Sequence, residues 1–223
     1  MERPQFENDH IYHIFNRGVE KRDVFINDKD RFRFIHDMFE FNDRSPALNL
    51  GYNLLKSDFN RPQKPRKLLV EIICFCLMPN HYHFMLRQIV DGGITEFMRK
   101  IGTGYTNYFN LKNKRVGALF QGKFKAVHIE KEAHLLYLPH YIHLNPLDLG
   151  FPEWREQKIK NVSKALQFLK TYRWSSYLDY INIKNFPSIL YRSPTSIMNY
   201  EKDIKEWLED FDFESIRDIS IDY

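Results

Sequence analysis

The chain has 223 residues, 43% of them hydrophobic and 16% aromatic, which is enough for one large domain with a substantial core. It has no run of about 18 apolar residues and no apolar N-terminal stretch, so we expect neither a membrane span nor a signal peptide. The formal net charge is +4, but residues 201–223 hold nine acidic and three basic residues, so the first 200 residues carry +10. A basic body of this kind favours a polyanionic partner.

Hydrophobic periodicity predicts an alternation of strands and helices. Strands are expected at 10–17, 68–77, 81–87 and 123–129, and helices at 27–40, 95–109, 130–149, 163–180 and 200–211. The order strand, helix, strand, strand, helix, strand is that of the ferredoxin-like fold. We therefore predict an α+β fold, with an antiparallel sheet, helices packed on one face of it, and a C-terminal helical extension.

Smaller features complete this organisation. Asn27 or Asp28 is expected to cap the first helix. Residues 61–67 are rich in arginine, lysine and proline and predict a basic loop. Cys74 and Cys76 are two residues apart on one predicted strand, where disulfide geometry is poor, and this fits a reducing, cytoplasmic environment.

Two histidines, His81 and His83, stand one residue apart on the third predicted strand. Side chains at i and i+2 of a strand point to the same face, about 7 Å apart along it. Such a pair can bind one divalent metal ion and leave the opposite side open to substrate. The alternative is a pair of surface or half-buried histidines without a metal. Tyr82, between them, is expected to point to the other face.

A second segment, residues 138–146, combines a tyrosine and an asparagine. Tyr141 and Asn145 are four residues apart, and hence on the same side of a helix. A tyrosine can act as a covalent nucleophile, and an asparagine oxygen is a competent ligand for Mg²⁺ or Mn²⁺. Pro139 is expected to kink or restart the helix, and Pro146 to bias Asn145 away from helical geometry.

Several neighbouring residues have competing interpretations. Tyr105 and Tyr108 are rival candidates for a nucleophile. His140 and His143 flank Tyr141 and are expected to be solvated, with assistance by hydrogen bonding as the alternative. A further histidine, His13, is expected to be a core or sheet-edge residue, and the alternative is that it faces the metal.

The two segments together resemble a known family. MPNHYHFML at 78–86, followed by YIHLNPL at 141–147, is similar to the single-tyrosine HUH transposases, also called IS200-like transposases, and above all to the REP-associated tyrosine transposases. YHIFNRG at 12–18, GALFQGKFK at 117–125 and YRWSSY at 172–177 agree with this family. The resemblance runs from about residue 10 to about residue 190.

The resemblance implies a role for each residue of the two motifs. His81 and His83, on a central strand, match the metal-binding histidines, Asn145 matches the residue that completes the metal site, and Tyr141 matches the nucleophile. The implied cofactor is Mg²⁺ or Mn²⁺. The implied reaction is nicking and joining of single-stranded or hairpin DNA through a 5′-phosphotyrosine. Residues 1–150 would form the catalytic domain, and residues 151–223 a helical extension with an acidic tail.

The sequence gives only candidates for the DNA contacts and does not determine the oligomeric state. Basic residues near the motifs are candidate phosphate contacts, among them Arg17, Arg99, Arg115, Lys123 and Lys125. The family contains monomers and homodimers, so the sequence leaves open whether Tyr141 meets the histidines of its own chain. It also leaves open the DNA target, the metal, and a mobile-element or host role.

Two alternative functions differ in class. One is a non-catalytic protein that binds structured nucleic acid through a ferredoxin-like sheet. The other is a metallonuclease that uses water as its nucleophile, and whose cleavage does not depend on Tyr141.

Overall fold

The computed structural model of the chain describes residues 3–46, 66–156, 158–191 and 199–210. The strands are β1 (Ile11–Arg17), β2 (Val70–Met78), β3 (His81–Gln88) and β4 (Lys125–His128). The helices are α1 (Asp28–Phe41), α2 (Gly93–Lys112), α3 (Glu132–Leu144), α4 (Val162–Thr171), α5 (Tyr177–Tyr180) and α6 (Tyr200–Asp210). Short 3₁₀ helices cover Val19–Lys21, Asn145–Leu149 and Pro152–Glu156. Most of the predicted basic loop at 61–67, and the tail after residue 210, lie outside the described residues.

The four strands form one antiparallel sheet in the order β2-β3-β1-β4. With α1 between β1 and β2, and α2 between β3 and β4, this is the ferredoxin-like arrangement that the sequence predicts. β3 lies inside the sheet, paired with β2 on one side and β1 on the other. The histidine motif is therefore carried by a central strand.

Helices α1 and α2 cover the first face of the sheet. The core there is built from alternate strand residues such as Ile14, Phe75 and Phe84, against Phe34 of α1 and Tyr105 of α2. Period-two alternation sends these side chains to one face and leaves their neighbours for the other. This half of the molecule matches the prediction of helices on one face.

The helices that follow β4 cover the second face. Buried residues of β2 and β3, among them Cys74, Cys76 and Met85, pack there against α3, α4 and α6. The predicted C-terminal extension thus shares a core with α3, and the sheet is covered on both sides. A domain boundary at residue 150 stays a prediction. Within the described residues, no helix combines the length and the apolarity needed to cross a membrane.

The structure corrects both expectations about the prolines around Tyr141. Helix α3 runs through Pro139 without a break, and Asn145 has helical backbone angles (φ −48°, ψ −38°). Pro146 is tolerated because it stands at the start of a 3₁₀ helix, where its missing N–H costs little. Tyr141 and Asn145 therefore stay on one continuous helical path.

Two asparagines fix the ends of α1. The side chain of Asn27 accepts from the N–H of Asp30, and the Asp30 carboxylate accepts in return from the N–H of Asn27, which forms a capping box. Beyond the other end, the buried Asn42 accepts from the N–H groups of Leu69 and Val70, at 3.1 and 3.0 Å, and donates to the Val70 carbonyl at 2.9 Å. Asn42 thereby joins the end of α1 to the start of β2.

This junction predicts the effect of a substitution. Asn42→Ala leaves buried backbone groups of Leu69 and Val70 without partners, and we expect it to lower the free energy of unfolding by about 2–3 kcal/mol. Urea denaturation measures the change. Asn8→Ala, which removes an exposed asparagine, is the matched control and is expected to cost less than about 1 kcal/mol. Equal effects of the two substitutions would contradict the role given to Asn42.

Candidate functional site

His81 and His83 point to the second face of the sheet. Tyr82, between them, packs in the first core against Phe34 and Phe120, as alternation predicts. The two imidazole rings lie 5.0 Å apart between centroids and are nearly perpendicular. They therefore face α3, the helix that carries Tyr141.

The imidazole of His83 is held by a second histidine. Nδ1 of His83 lies 2.9 Å from Nε2 of His13, which is fully buried on the neighbouring strand β1. Nε2 of His83 is buried and has no hydrogen-bond partner among the described residues. A buried ring nitrogen in this state costs free energy unless something binds it. His13 is thus a core residue, as the sequence predicts, and it also lies beside the candidate site, which was the alternative.

The imidazole of His81 is held by two asparagines. Nδ1 of His81 lies 2.6 Å from the side-chain oxygen of Asn80, within hydrogen-bond distance. The side chain of Asn145 forms a further hydrogen bond with this ring. Burial, with a smaller contribution from Arg17, lowers the pKa of His81 from 6.5 to about 4. Burial also lowers the pKa of His83 well below its usual value, so both rings are neutral at pH 7.

Helix α3 brings the predicted nucleophile to the same place. The ring of Tyr141 lies 5.8 Å from that of His83 and 6.1 Å from that of His13, edge-on to both. Asn145, one turn later, donates to the Tyr141 carbonyl over 2.8 Å. The four residues of the two motifs are thus assembled within a single chain. Both side chains are buried, with Tyr141 1% and Asn145 0% exposed.

The rival tyrosines lie on the other side of the sheet. Tyr105 belongs to the first core and donates to the Val24 carbonyl over 2.6 Å, and Tyr108 donates to Asp30. Burial raises the pKa of both hydroxyl groups. Neither residue faces His81 or His83, so Tyr141 is the candidate that the fold favours.

The candidate phosphate contacts separate into two groups. Arg17 is paired with His81, and Lys125 lies opposite Phe15, which is itself paired with His83. Directly paired residues of an antiparallel sheet point to the same face, so Arg17 and Lys125 share the face of the histidines. The remaining candidates are Arg99 on α2, which covers the opposite face, and Arg115 and Lys123 between α2 and β4.

His140 and His143 are buried, which corrects the expectation that they are solvated. Nδ1 of His143 lies 2.6 Å from the hydroxyl of Tyr200, and Nε2 lies 2.7 Å from that of Ser176. His140 stacks on Tyr200 with 5.0 Å between ring centroids. The face of α3 that turns away from His83 therefore anchors the C-terminal helix α6.

Three residues beyond α3 lie against the candidate site, and the sequence did not single them out. Arg155 donates to Asn145 Oδ1 over 3.4 Å, and its guanidinium lies 5.6 Å from the centre of the Tyr141 ring. Asp148 accepts from Arg155 and from the indole N–H of Trp154. All three lie in the 3₁₀ helices after Leu144, where periodicity gives no signal.

The donors fit a divalent metal ion in part. No group of three histidine, cysteine, aspartate or glutamate side chains able to hold a metal occurs in the described part of the chain. The combination present is two neutral imidazoles and the oxygen of Asn145. The unpartnered Nε2 of His83 and the Asn80 bond to the far side of His81 are features of metal-binding histidines, whose second nitrogen is fixed by a neighbour.

Comparisons with known proteins bear on this arrangement. A family model described as Transposase IS200 like matches residues 62–145, the segment that contains both motifs. A solved structure of a REP-associated tyrosine transposase bound to a REP hairpin is similar to this chain, with a TM-score of 0.51 and 13% sequence identity, and the match covers 87% of this chain and 93% of that chain. No curated protein matches.

The segment that carries His81, His83, Tyr141 and Asn145 is thus similar to the IS200-like transposases, the class that the two motifs predict. More particularly, the chain shares the fold of the REP-associated tyrosine transposase.

The burial of His81 predicts how the stability of the folded state depends on pH. Because its pKa is about 4 in the folded chain and about 6.5 when unfolded, the unfolded chain takes up a proton first as the pH falls, and the folded state loses stability below pH 6.5. This residue alone accounts for about 2–3 kcal/mol between pH 7 and pH 4.5. His81→Gln is expected to reduce the loss of unfolding free energy over that range by this amount, measured by urea denaturation at both pH values. Equal losses of unfolding free energy in the unsubstituted protein and in His81→Gln would contradict the contribution assigned to His81.

Proposed function

We propose that the chain is a metal-dependent enzyme that nicks and joins single-stranded DNA through a covalent link to Tyr141. The observation that carries this proposal is the contact between the Tyr141 ring and the ring of His83, in one pocket with His81 and Asn145. A tyrosine beside neutral imidazoles and an amide oxygen unites a nucleophile with potential metal ligands.

In the proposed reaction the Tyr141 oxygen attacks a scissile phosphodiester. The bond from tyrosine to phosphorus forms, the bond from phosphorus to the 3′-oxygen breaks, and the proton lost by the phenol is balanced by the one that the 3′-oxygen gains. The product is a 5′-phosphotyrosine with a free 3′-hydroxyl, and reversal or strand transfer needs no further energy source. The structural neighbour is bound to a REP hairpin, and we propose hairpin or palindromic DNA as the substrate here as well.

The proposed ligands of the metal are Nε2 of His81, Nε2 of His83 and Oδ1 of Asn145. When bound, Mg²⁺ or Mn²⁺ would polarise the phosphate and stabilise the charge that develops in the transition state. Of these two ions, Mn²⁺ suits imidazole nitrogens better, whereas Mg²⁺ prefers oxygen ligands throughout.

The remaining residues orient this set. Asn80 orients His81 and His13 orients His83, and Arg17 and Lys125 supply positive charge on the same face of the sheet. A protein that only binds nucleic acid does not require a tyrosine packed against potential metal ligands, and this favours the catalytic proposal over the non-catalytic one.

The covalent intermediate can be tested directly. The protein is incubated with single-stranded hairpin DNA labelled at its 3′ end, the end that stays with the 5′-phosphotyrosine, and with Mn²⁺, and we expect a labelled protein–DNA band that survives denaturant. Tyr141→Phe is expected to abolish the band, because the ring remains but the nucleophilic oxygen is lost. Tyr105→Phe, with its hydroxyl on the opposite side of the sheet, is the matched control and should still form the band. Cleavage without a covalent band would favour the nuclease that uses water.

The role of His13 can be tested through metal affinity. His13→Phe fills the space but removes the hydrogen bond to His83, and we expect it to weaken Mn²⁺ binding about 10- to 100-fold. His13→Gln, whose amide can reach the same position, is expected to recover part of the loss. Calorimetric titration with Mn²⁺ measures the affinity without any need for catalysis, and an unchanged dissociation constant in His13→Phe would rule out the orienting role.

A further inference from the structure

Arg155 is a part-exposed cation beside the buried Tyr141. Its side chain is 27% exposed and that of Asp148 is 31% exposed, whereas Tyr141 and Asn145 behind them are sealed from solvent. The guanidinium stacks over Trp154, with 4.5 Å from its carbon to the ring centroid, and extends over Tyr141. The guanidinium therefore contacts both solvent and the ring of Tyr141.

The orientation of the guanidinium is fixed by Asp148. Nε and Nη2 of Arg155 donate to the two carboxylate oxygens of Asp148 over 3.0 and 2.9 Å, a two-point contact that holds the planar group in one direction. The indole N–H of Trp154 holds the same carboxylate over 2.6 Å. A cation fixed before the substrate arrives needs no reorganisation when charge develops, and such groups are the effective ones in catalysis.

The contact between Arg155 and Asn145 is the weakest of the set. At 3.4 Å from Nη2 to Oδ1, it is long for a hydrogen bond between nitrogen and oxygen. A phosphate oxygen is charged, so it forms a stronger hydrogen bond with Nη2 of Arg155 than the neutral amide oxygen of Asn145 does. A bound phosphate would therefore replace Oδ1 of Asn145 as the acceptor for Arg155.

From these contacts we infer that Arg155 is a catalytic residue that binds a non-bridging oxygen of the scissile phosphodiester beside Tyr141. The inference rests on the proposed function of Tyr141 and adds a further cation to the site. Asp148 acts as the positioning residue, because it sets the direction of the guanidinium without reaching the substrate. The purely structural alternative is an ion pair that ties together the two 3₁₀ helices around Gly150.

The kinetic test compares three variants under single turnover, with saturating hairpin DNA and Mn²⁺. Arg155→Gln is expected to slow formation of the covalent band about 100-fold, as for the loss of one oriented donor to a developing anion. Arg155→Lys keeps the charge without the two-point geometry, and should lose about tenfold. Lys158→Gln removes one positive charge three residues away, from an exposed pair with Glu156, and should match the unsubstituted protein.

A second measurement is independent of chemistry. In the Tyr141→Phe protein, the side-chain Nε–H signal of Arg155, identified by its loss in Arg155→Lys, is followed by NMR as hairpin DNA is added. We expect it to shift with saturation, because the bound phosphate changes the hydrogen bonds of the guanidinium. A purely structural ion pair predicts an unmoved signal and an unchanged rate per folded molecule.

The outcomes separate the two proposals. An Arg155→Gln rate within threefold of the unsubstituted protein, or an unmoved signal at saturating DNA, overturns the role of Arg155 while the tyrosine chemistry stands. Absence of a covalent band in the unsubstituted protein overturns the proposed function, and the NMR signal alone then decides whether Arg155 binds phosphate. If Arg155→Gln does not fold, as seen by circular dichroism, the Arg155→Lys rate decides instead.

Discussion

The antiparallel register between β1 and β3 is the constraint on which the rest of the site depends. It pairs Phe15 with His83 and Arg17 with His81, and so sets all four side chains on the face that α3 covers. A slip of one residue would turn His81 and His83 into the first core and bring Tyr82 out in their place. The apolar side chains of the first core, such as Ile14 and Phe84, make that slip costly, since their burial requires the register that is seen.

The second requirement is that α3 is held in a fixed position against the sheet. The side of the helix that faces the histidines carries Tyr141, while its other side carries His140 and His143, which pack against α6. The hydroxyl of Ser176 joins His143 to the backbone of Phe75 in β2. The helix that carries the proposed nucleophile is therefore held from both sides, by the sheet and by the C-terminal segment.

Much of the arrangement could be predicted from the sequence, because the decisive patterns are local. Period-two alternation placed His81, Tyr82 and His83 on their faces, and the order of elements predicted the ferredoxin-like sheet, both of which the structure confirms. The burial of His143 depends on partners 33 and 57 residues away, and a local pattern cannot carry that information. Arg155 was not predicted as a site residue for the same reason, because its contacts with Asn145 and Asp148 depend on how two short 3₁₀ helices pack together. The expectation for Pro146 failed because a preference of one residue was outweighed by the continuous helical path around it.

The burial of Tyr141 has a consequence for the lifetime of any intermediate formed on it. Tyr141 is 1% exposed, and the ion pair of Arg155 and Asp148 lies beside its ring. An ester between Tyr141 and a DNA strand would be shielded from bulk water, and a site that excludes water protects a reactive bond from hydrolysis. The phosphotyrosine ester would then persist until a 3′-hydroxyl attacks it, and the strand would be rejoined rather than released by hydrolysis.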